Sequence, residues 1–208
     1  NHGGEVLSTT ISLYAYATII DSPNKNSVTF KASDLSIIEK YKIKNILSKK
    51  NILKKSELAI HVALYIEMIK ILDHNVNKSI EIITFCDAPP GSGLGSSSTL
   101  TVAMIQAYNR KYNLKLNKDE IAQKAFYVER IILGLKGGQQ DQYSASFGGF
   151  NHLFFKKQDK YFKYLGDKPL RFTPKVYKIW LKDFNLKKHN QIFEELEKFI
   201  YGEKYSYL

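Results

Sequence analysis

Apolar and polar side chains alternate from Glu5 to Ile20, with Leu13, Ala15 and Ala17 on one face and Tyr14, Tyr16 and Thr18 on the other. Ser27 to Phe30 reads as a second strand, and the Asp21-Ser-Pro-Asn turn between them predicts a first hairpin. The period then changes: Leu58, Val62, Tyr65, Ile66, Ile69 and Leu72 form one helical stripe ending near Asp73. A strand follows over Ser79 to Phe85, and Leu100, Ala103, Met104, Ala107 and Tyr108 mark one face of the next helix. Asn117 followed by Glu120 is a capping box, so a helix is predicted from Lys118 to Leu133, stopped by Gly134. Phe147 to Phe155 and Tyr161 to Leu165 read as strands of a hairpin joined across residues 156–160.

After Gly166 the texture changes. Val176, Ile179, Trp180 and Phe184 fall on one helical stripe, and Ile192, Phe193, Leu196, Phe199 and Ile200 on another. The pattern therefore predicts an α+β domain over residues 1–165 and a helical tail over residues 166–208.

Two places break the pattern. The first is Asp87-Ala-Pro-Pro-Gly-Ser-Gly-Leu-Gly-Ser-Ser-Ser98, between a predicted strand and a predicted helix. Gly91, Gly93 and Gly95 free the backbone to turn its N–H groups inward, and Ser96, Ser97 and Ser98 open a helix whose first N–H groups lack internal partners. Such a loop binds anions, phosphates above all. A Walker loop would need a lysine near its end, and none occurs between Asp87 and Arg110. A dinucleotide fingerprint would need a glycine where Ser96 stands. A plain glycine-rich turn with a serine cap is the remaining structural alternative.

The second break is Glu129, which falls in the middle of the apolar arc made by Ile121, Ala122, Ala125, Phe126, Ile132 and Leu133. An unpaired buried carboxylate is costly, so Glu129 is expected to meet a cation, a metal or a set of donors. A salt bridge to a lysine or arginine at the core edge would be the purely structural outcome. Downstream, Leu135-Lys-Gly-Gly-Gln-Gln-Asp-Gln-Tyr143 reads as a tight polar loop in which Gly137 and Gly138 deliver Asp141. Two carboxylates, one on a helix and one on this loop, could divide metal binding and proton abstraction between them.

The 208 residues are 44% apolar, enough for one sizeable core. A net charge of +11 raises the question of nucleic acid. Of the 31 basic residues only Arg110, Arg130 and Arg171 are arginines, and the lysines are scattered rather than interleaved with stacking aromatics. No nucleic-acid partner is expected. No run of apolar residues is long enough to cross a membrane and no signal peptide opens the chain, so the expected compartment is the cytoplasm. Cys86 is the one cysteine, which excludes an internal disulfide. His61 and His74 lack the paired spacing of metal ligands and are expected to be structural.

The segment Pro89-Pro-Gly-Ser-Gly-Leu-Gly-Ser-Ser-Ser98 resembles the second signature motif of the GHMP small-molecule kinases. Asn1-His-Gly-Gly-Glu-Val-Leu-Ser-Thr-Thr-Ile11 and Val128 to Phe150 are similar to the sugar-1-kinase branch, especially the D-glycero-D-manno-heptose 7-phosphate kinases. The resemblance covers residues 1 to about 155 and implies a GHMP kinase N-terminal domain of the ribosomal protein S5 domain 2-like fold. It also implies ATP and Mg²⁺ as cofactors and a small-molecule sugar or sugar phosphate as partner. Oligomeric state is left open.

Carried onto matching positions, the resemblance assigns Pro90, Gly91, Ser92, Gly93, Leu94, Gly95, Ser96, Ser97 and Ser98 to the ATP phosphates. It assigns Ser97 and Glu129 to Mg²⁺, and Asp141 to the acceptor hydroxyl as base or orienting group. His2, Gly3 and Gly4, with Gly137 and Gly138, are placed beside the sugar. Family members carry a further motif before the position of Asn1 and a second α+β domain after the first, and nothing beyond Phe155 matches that domain. The chain as given is therefore expected to be catalytically incomplete. Thr99 stands where an alanine is usual. The implied reaction is phosphorylation of an anomeric hydroxyl, with heptose 7-phosphate preferred. Fucose, galactose or glucuronate as acceptor, or a non-catalytic nucleotide-binding domain, are the alternatives.

Overall fold

A computed structural model describes residues 4–48, 51–72, 77–155 and 175–178. The described elements run β1 (Gly4–Thr9), β2 (Ala15–Asp21), β3 (Ser27–Ala32), β4 (Ile37–Lys42), α1 (Ile43–Ser48), α2 (Ile52–Lys55), α3 (Ala59–Ile71), β5 (Ile80–Cys86), α4 (Ser96–Tyr112) and α5 (Lys118–Phe126). A π-helical segment (Tyr127–Ile132), α6 (Gln140–Phe147), β6 (Phe150–Phe155) and β7 (Lys175–Lys178) complete them. The mixed α+β architecture matches the expectation from the hydrophobic pattern.

The strands form two sheets, β2-β5-β3-β4 and β1-β6-β7. In the first, β5 runs parallel to β3 and antiparallel to β2, and β3 and β4 make the hairpin. Alternate residues of β3 and β5, among them Val28, Phe30, Ile80 and Ile82, are fully buried and pack with Val62, Tyr65 and Met68 of α3 and Met104, Ile105 and Tyr108 of α4. This one cluster is the main core, and it fixes the strand that leads into the glycine loop.

Five expectations are corrected. The stretch Glu5 to Ile20 divides into β1 and β2, which belong to different sheets. The predicted hairpin between β2 and β3 does not form, because β5 lies between them; Ser22 N–H donates to Ser79 O at 2.8 Å and so extends the β2–β5 pairing past the Asp21 turn. A central strand must fill both of its edges, and β5 takes β2 on one and β3 on the other. The single helix predicted over 118–133 keeps its capping box, with Asn117 accepting from the Asp119 and Glu120 N–H groups, but widens to a π-helix after Phe126. Residues 140–143, expected in a loop, form the first turn of α6.

Lys175–Lys178, expected to begin a helical stripe with Val176, instead pairs antiparallel with β6 as β7. Extended pairing there satisfies backbone groups along the β6 edge opposite β1. The strand expected over Tyr161 to Leu165, the remaining tail stripes and the boundary between residues 165 and 166 lie outside the described residues, as does His74.

Candidate active site

The glycine loop leaves β5 at Cys86 and enters α4 at Ser96. Its root is clamped to the start of β2: Tyr14 N–H donates to Asp87 Oδ2 at 2.9 Å, and Asp87 N–H donates to Tyr14 O at 2.9 Å. Gly91, Gly93 and Gly95 adopt φ of +76°, +74° and +71°, while Ser92 and Leu94 between them keep negative φ. Alternating hands of this kind turn successive N–H groups toward one concavity, a nest for an anion. The first intrahelical bond of α4 is Thr99 N–H to Gly95 O at 2.9 Å, so the N–H groups of Ser96, Ser97 and Ser98 precede the helical ladder and carry its positive end. Thr99 also donates its hydroxyl to Gly95 O at 3.0 Å.

Glu129 is 0% exposed, as its place in the apolar arc requires. It sits in the π-helical segment, where Leu133 N–H reaches back to Val128 O at 3.1 Å and Leu135 N–H to Glu129 O at 2.9 Å. Its carboxylate accepts from Ser97 Oγ at 2.5 Å, from Ser98 Oγ at 2.8 Å and from Gln142 Nε2. All three donors are neutral. The ion pairs among the described residues, Lys70 with Glu67 and Lys111 with Asp21, do not involve it. The salt-bridge alternative is thereby set aside in favour of a donor set from the first turns of α4 and α6.

Asp141 lies exposed in the first turn of α6, where a carboxylate suits the helix dipole. It closes on the glycine loop: a Cβ placed on Gly95 would lie 3.3 Å from Asp141 Cβ and Cγ. The two share the wall of an open cleft of about 1300 Å³, together with Gly93, Leu94, Ser96, Gln140 and Ser144, and with β1 and β2 on the far side. Ser97 and Glu129 do not line this cleft.

The expected site residues thus separate into groups. The loop residues, Ser97, Glu129 and Asp141 come together around the start of α4. Ser98 is buried, with its hydroxyl turned to Glu129 rather than to the loop. Gly137 and Gly138 are absent from the cleft wall and fold against Arg130, whose Nε donates to Gly138 O at 3.2 Å; a Cβ on Gly137 would meet Arg130 Nη2 at 2.8 Å. Gly4 opens β1, and His2 and Gly3 lie outside the described residues. The sequence reading missed Gln142, whose signal was available only by recognising that a helix starts at Gln140 and turns the residue after Asp141 inward. It also missed Tyr14, Tyr16 and Arg110 on the cleft wall, for which no motif spoke.

Among the described residues no group of three or more His, Cys, Asp and Glu side chains could hold a metal by itself. Ser97 and Glu129 nevertheless fit Mg²⁺: both offer oxygen, and the carboxylate charge has only neutral partners. Mg²⁺ is commonly held by one or two carboxylates with the remaining positions left to water and phosphate oxygens. His61 is structural as expected, bonded through Nε2 to Thr84 Oγ1 at 2.8 Å, and burial pushes its imidazole down to about 4. No helix among the described residues is long and apolar enough to cross a membrane.

Residues 57–149, which hold the loop, Glu129 and Asp141, match the GHMP kinases N terminal domain. The chain carries a GHMP kinase N-terminal domain. The chain is 39% identical over 152 residues to a D-glycero-alpha-D-manno-heptose 7-phosphate kinase of Campylobacter jejuni, a match covering 73% of this chain and 43% of that protein. It is 27% identical over 154 residues to a galactokinase of Clostridium beijerinckii, covering 72% and 38% respectively. The crystal structure of a D-glycero-D-manno-heptose 1-phosphate kinase from Bacteriodes thetaiotaomicron superposes with a TM-score of 0.65 at 38% identity, over 74% of this chain and 48% of that one. The chain spans about half or less of the length of these relatives.

Proposed function

We propose that the full-length protein is an ATP- and Mg²⁺-dependent sugar kinase that phosphorylates an anomeric hydroxyl, with D-glycero-D-manno-heptose 7-phosphate as the preferred acceptor. One observation carries this reading: the start of α4 has a buried carboxylate, Glu129, on Ser97 and an exposed carboxylate, Asp141, against Gly95. The heptose phosphate kinases named above, at 38–39% identity, support the choice of acceptor.

In this reading the nest and the free N–H groups of Ser96 to Ser98 take the triphosphate, and Ser97 and Glu129 would hold Mg²⁺, which would supply neutralising charge to the phosphate oxygens. Phosphoryl transfer asks mainly for positioning and charge stabilisation, and preorganised N–H groups supply both without reorganising. Asp141 accepts the proton of the sugar hydroxyl as its oxygen bonds to the γ-phosphorus and the bond to the β-phosphate oxygen breaks. ADP leaves with that oxygen, and the sugar keeps the phosphoryl group.

A coupled assay of ADP release by the full-length protein tests this. Heptose 7-phosphate, fucose, galactose and glucuronate are offered in turn, and heptose 7-phosphate is expected to give the highest kcat/KM. A higher value for another sugar moves the assignment within the family; release with none of them contradicts the sugar kinase reading.

A further inference from the structure

The two oxygens of the Glu129 carboxylate have different surroundings. Oε2 accepts from Ser98 Oγ at 2.8 Å and from Gln142 Nε2, whereas Oε1 accepts from Ser97 Oγ at 2.5 Å. Gln142 Nε2 also donates to Ser98 Oγ at 2.9 Å, so one amide nitrogen commits both protons to a closed ring of Glu129, Ser98 and Gln142. The ring is sealed from water, with Ser98 2% exposed and Glu129 and Gln142 0% exposed, while Ser97 is exposed.

The amide has only one usable orientation, since turning it over would aim its oxygen at the carboxylate. As it stands, Gln142 Oε1 is buried with no hydrogen-bond partner. A buried acceptor left unpaired destabilises the fold. A side chain kept only for packing would not need to carry that cost; a methionine would fill the space without it.

We propose that Gln142 is a positioning residue: together with Ser98 it pins Oε2 of Glu129, leaves Oε1 directed at Ser97 and the glycine loop, and so sets the affinity for Mg²⁺ with nucleotide. It touches neither nucleotide nor acceptor in this role. The inference rests on the kinase reading above. Groups that orient a metal ligand from behind commonly change metal affinity by about 10- to 100-fold when removed.

The test is Gln142→Met in the full-length protein, which keeps the side-chain length and removes both donors. Calorimetric titration with ATP at a series of Mg²⁺ concentrations, with no acceptor present, reads binding without turnover. The Mg²⁺ concentration that half-saturates ATP binding is expected to rise about 10- to 100-fold, with Mg²⁺-free ATP binding and the acceptor KM unchanged. A merely structural glutamine would lower Tm and leave the Mg²⁺ dependence at its wild-type value, which overturns the proposal. Ser98→Ala removes the other bond to the same oxygen, so the double variant is expected to lose less than the product of the two single effects. Gln142→Asn, which withdraws the amide by one methylene, supplies the same comparison should the methionine variant fail to fold. Wild-type protein that binds ATP without Mg²⁺ dependence overturns the kinase reading and this role with it; wild-type dependence retained by the variants overturns this role alone.

Discussion

Gly95 and Asp141 are in contact across the mouth of the glycine loop, with the position of a missing Cβ on Gly95 only 3.3 Å from Asp141 Cβ and Cγ. The helix start proposed to take the phosphates and the carboxylate proposed to face the acceptor are therefore set against each other with no side chain between them.

That contact separates two effects that an alanine would otherwise mix. Gly93 and Gly95 both have φ above +70°, so alanine at either carries backbone strain of about 1–3 kcal/mol. Only at Gly95 does the new methyl also press on Asp141, since nothing lies within 4 Å of a Cβ at Gly93. Both variants are expected to weaken ATP binding, and Gly95→Ala is expected to show a further loss of kcat. Steady-state kinetics of the two full-length variants decide it; equal kcat values mean that the contact has no catalytic weight.

Asp141→Asn keeps the shape and the contact with Gly95 but removes the charge. In the full-length enzyme kcat is expected to fall on the order of 10²- to 10⁴-fold while ATP affinity holds, because general-base assistance is lost and the phosphate nest is intact. Wild-type turnover in this variant would remove Asp141 from the chemistry.

His61 makes stability depend on pH. Its imidazole titrates near 4 in the folded protein, with burial as the main cause and the Glu39 carboxylate opposing it, against 6.5 for the free side chain. The unfolded chain therefore binds the extra proton first. The stabilisation is complete above pH 6.5 and is lost as pH falls from 6.5 toward 4, by an amount on the order of 3 kcal/mol. His61→Gln retains a polar group near Thr84 and removes this titration. Urea unfolding at pH 7 and pH 4 is expected to show a smaller stability difference in the variant than in the wild type; identical differences would show that His61 does not carry the effect.

Much of this site was legible because its parts break local rules. Gly91, Gly93 and Gly95 stand out among strand and helix formers, and Glu129 interrupts an apolar arc. Both signals are local in sequence, and the structure gives the three glycines positive φ and buries Glu129, as those signals implied. Strand pairing was not legible: the alternation in β2 and β3 says that each is a strand but not that β5, 48 or more residues later than β3, enters between them. Gln142 was missed for a related reason. Its partners Ser98 and Glu129 are 44 and 13 residues away, and no periodicity within Leu135 to Tyr143 announces that α6 begins at Gln140.

We propose above all that the start of α4 holds the triphosphate of ATP between Glu129 and Asp141. A crystal structure of the full-length protein with a non-hydrolysable ATP analogue and Mg²⁺ tests it most directly. Phosphate oxygens are expected within hydrogen-bonding distance of the N–H groups of the Gly93 to Ser97 segment, with the cation beside Ser97 and Glu129. A triphosphate bound elsewhere, with the glycine loop empty and Glu129 still closed on Ser97, would contradict it.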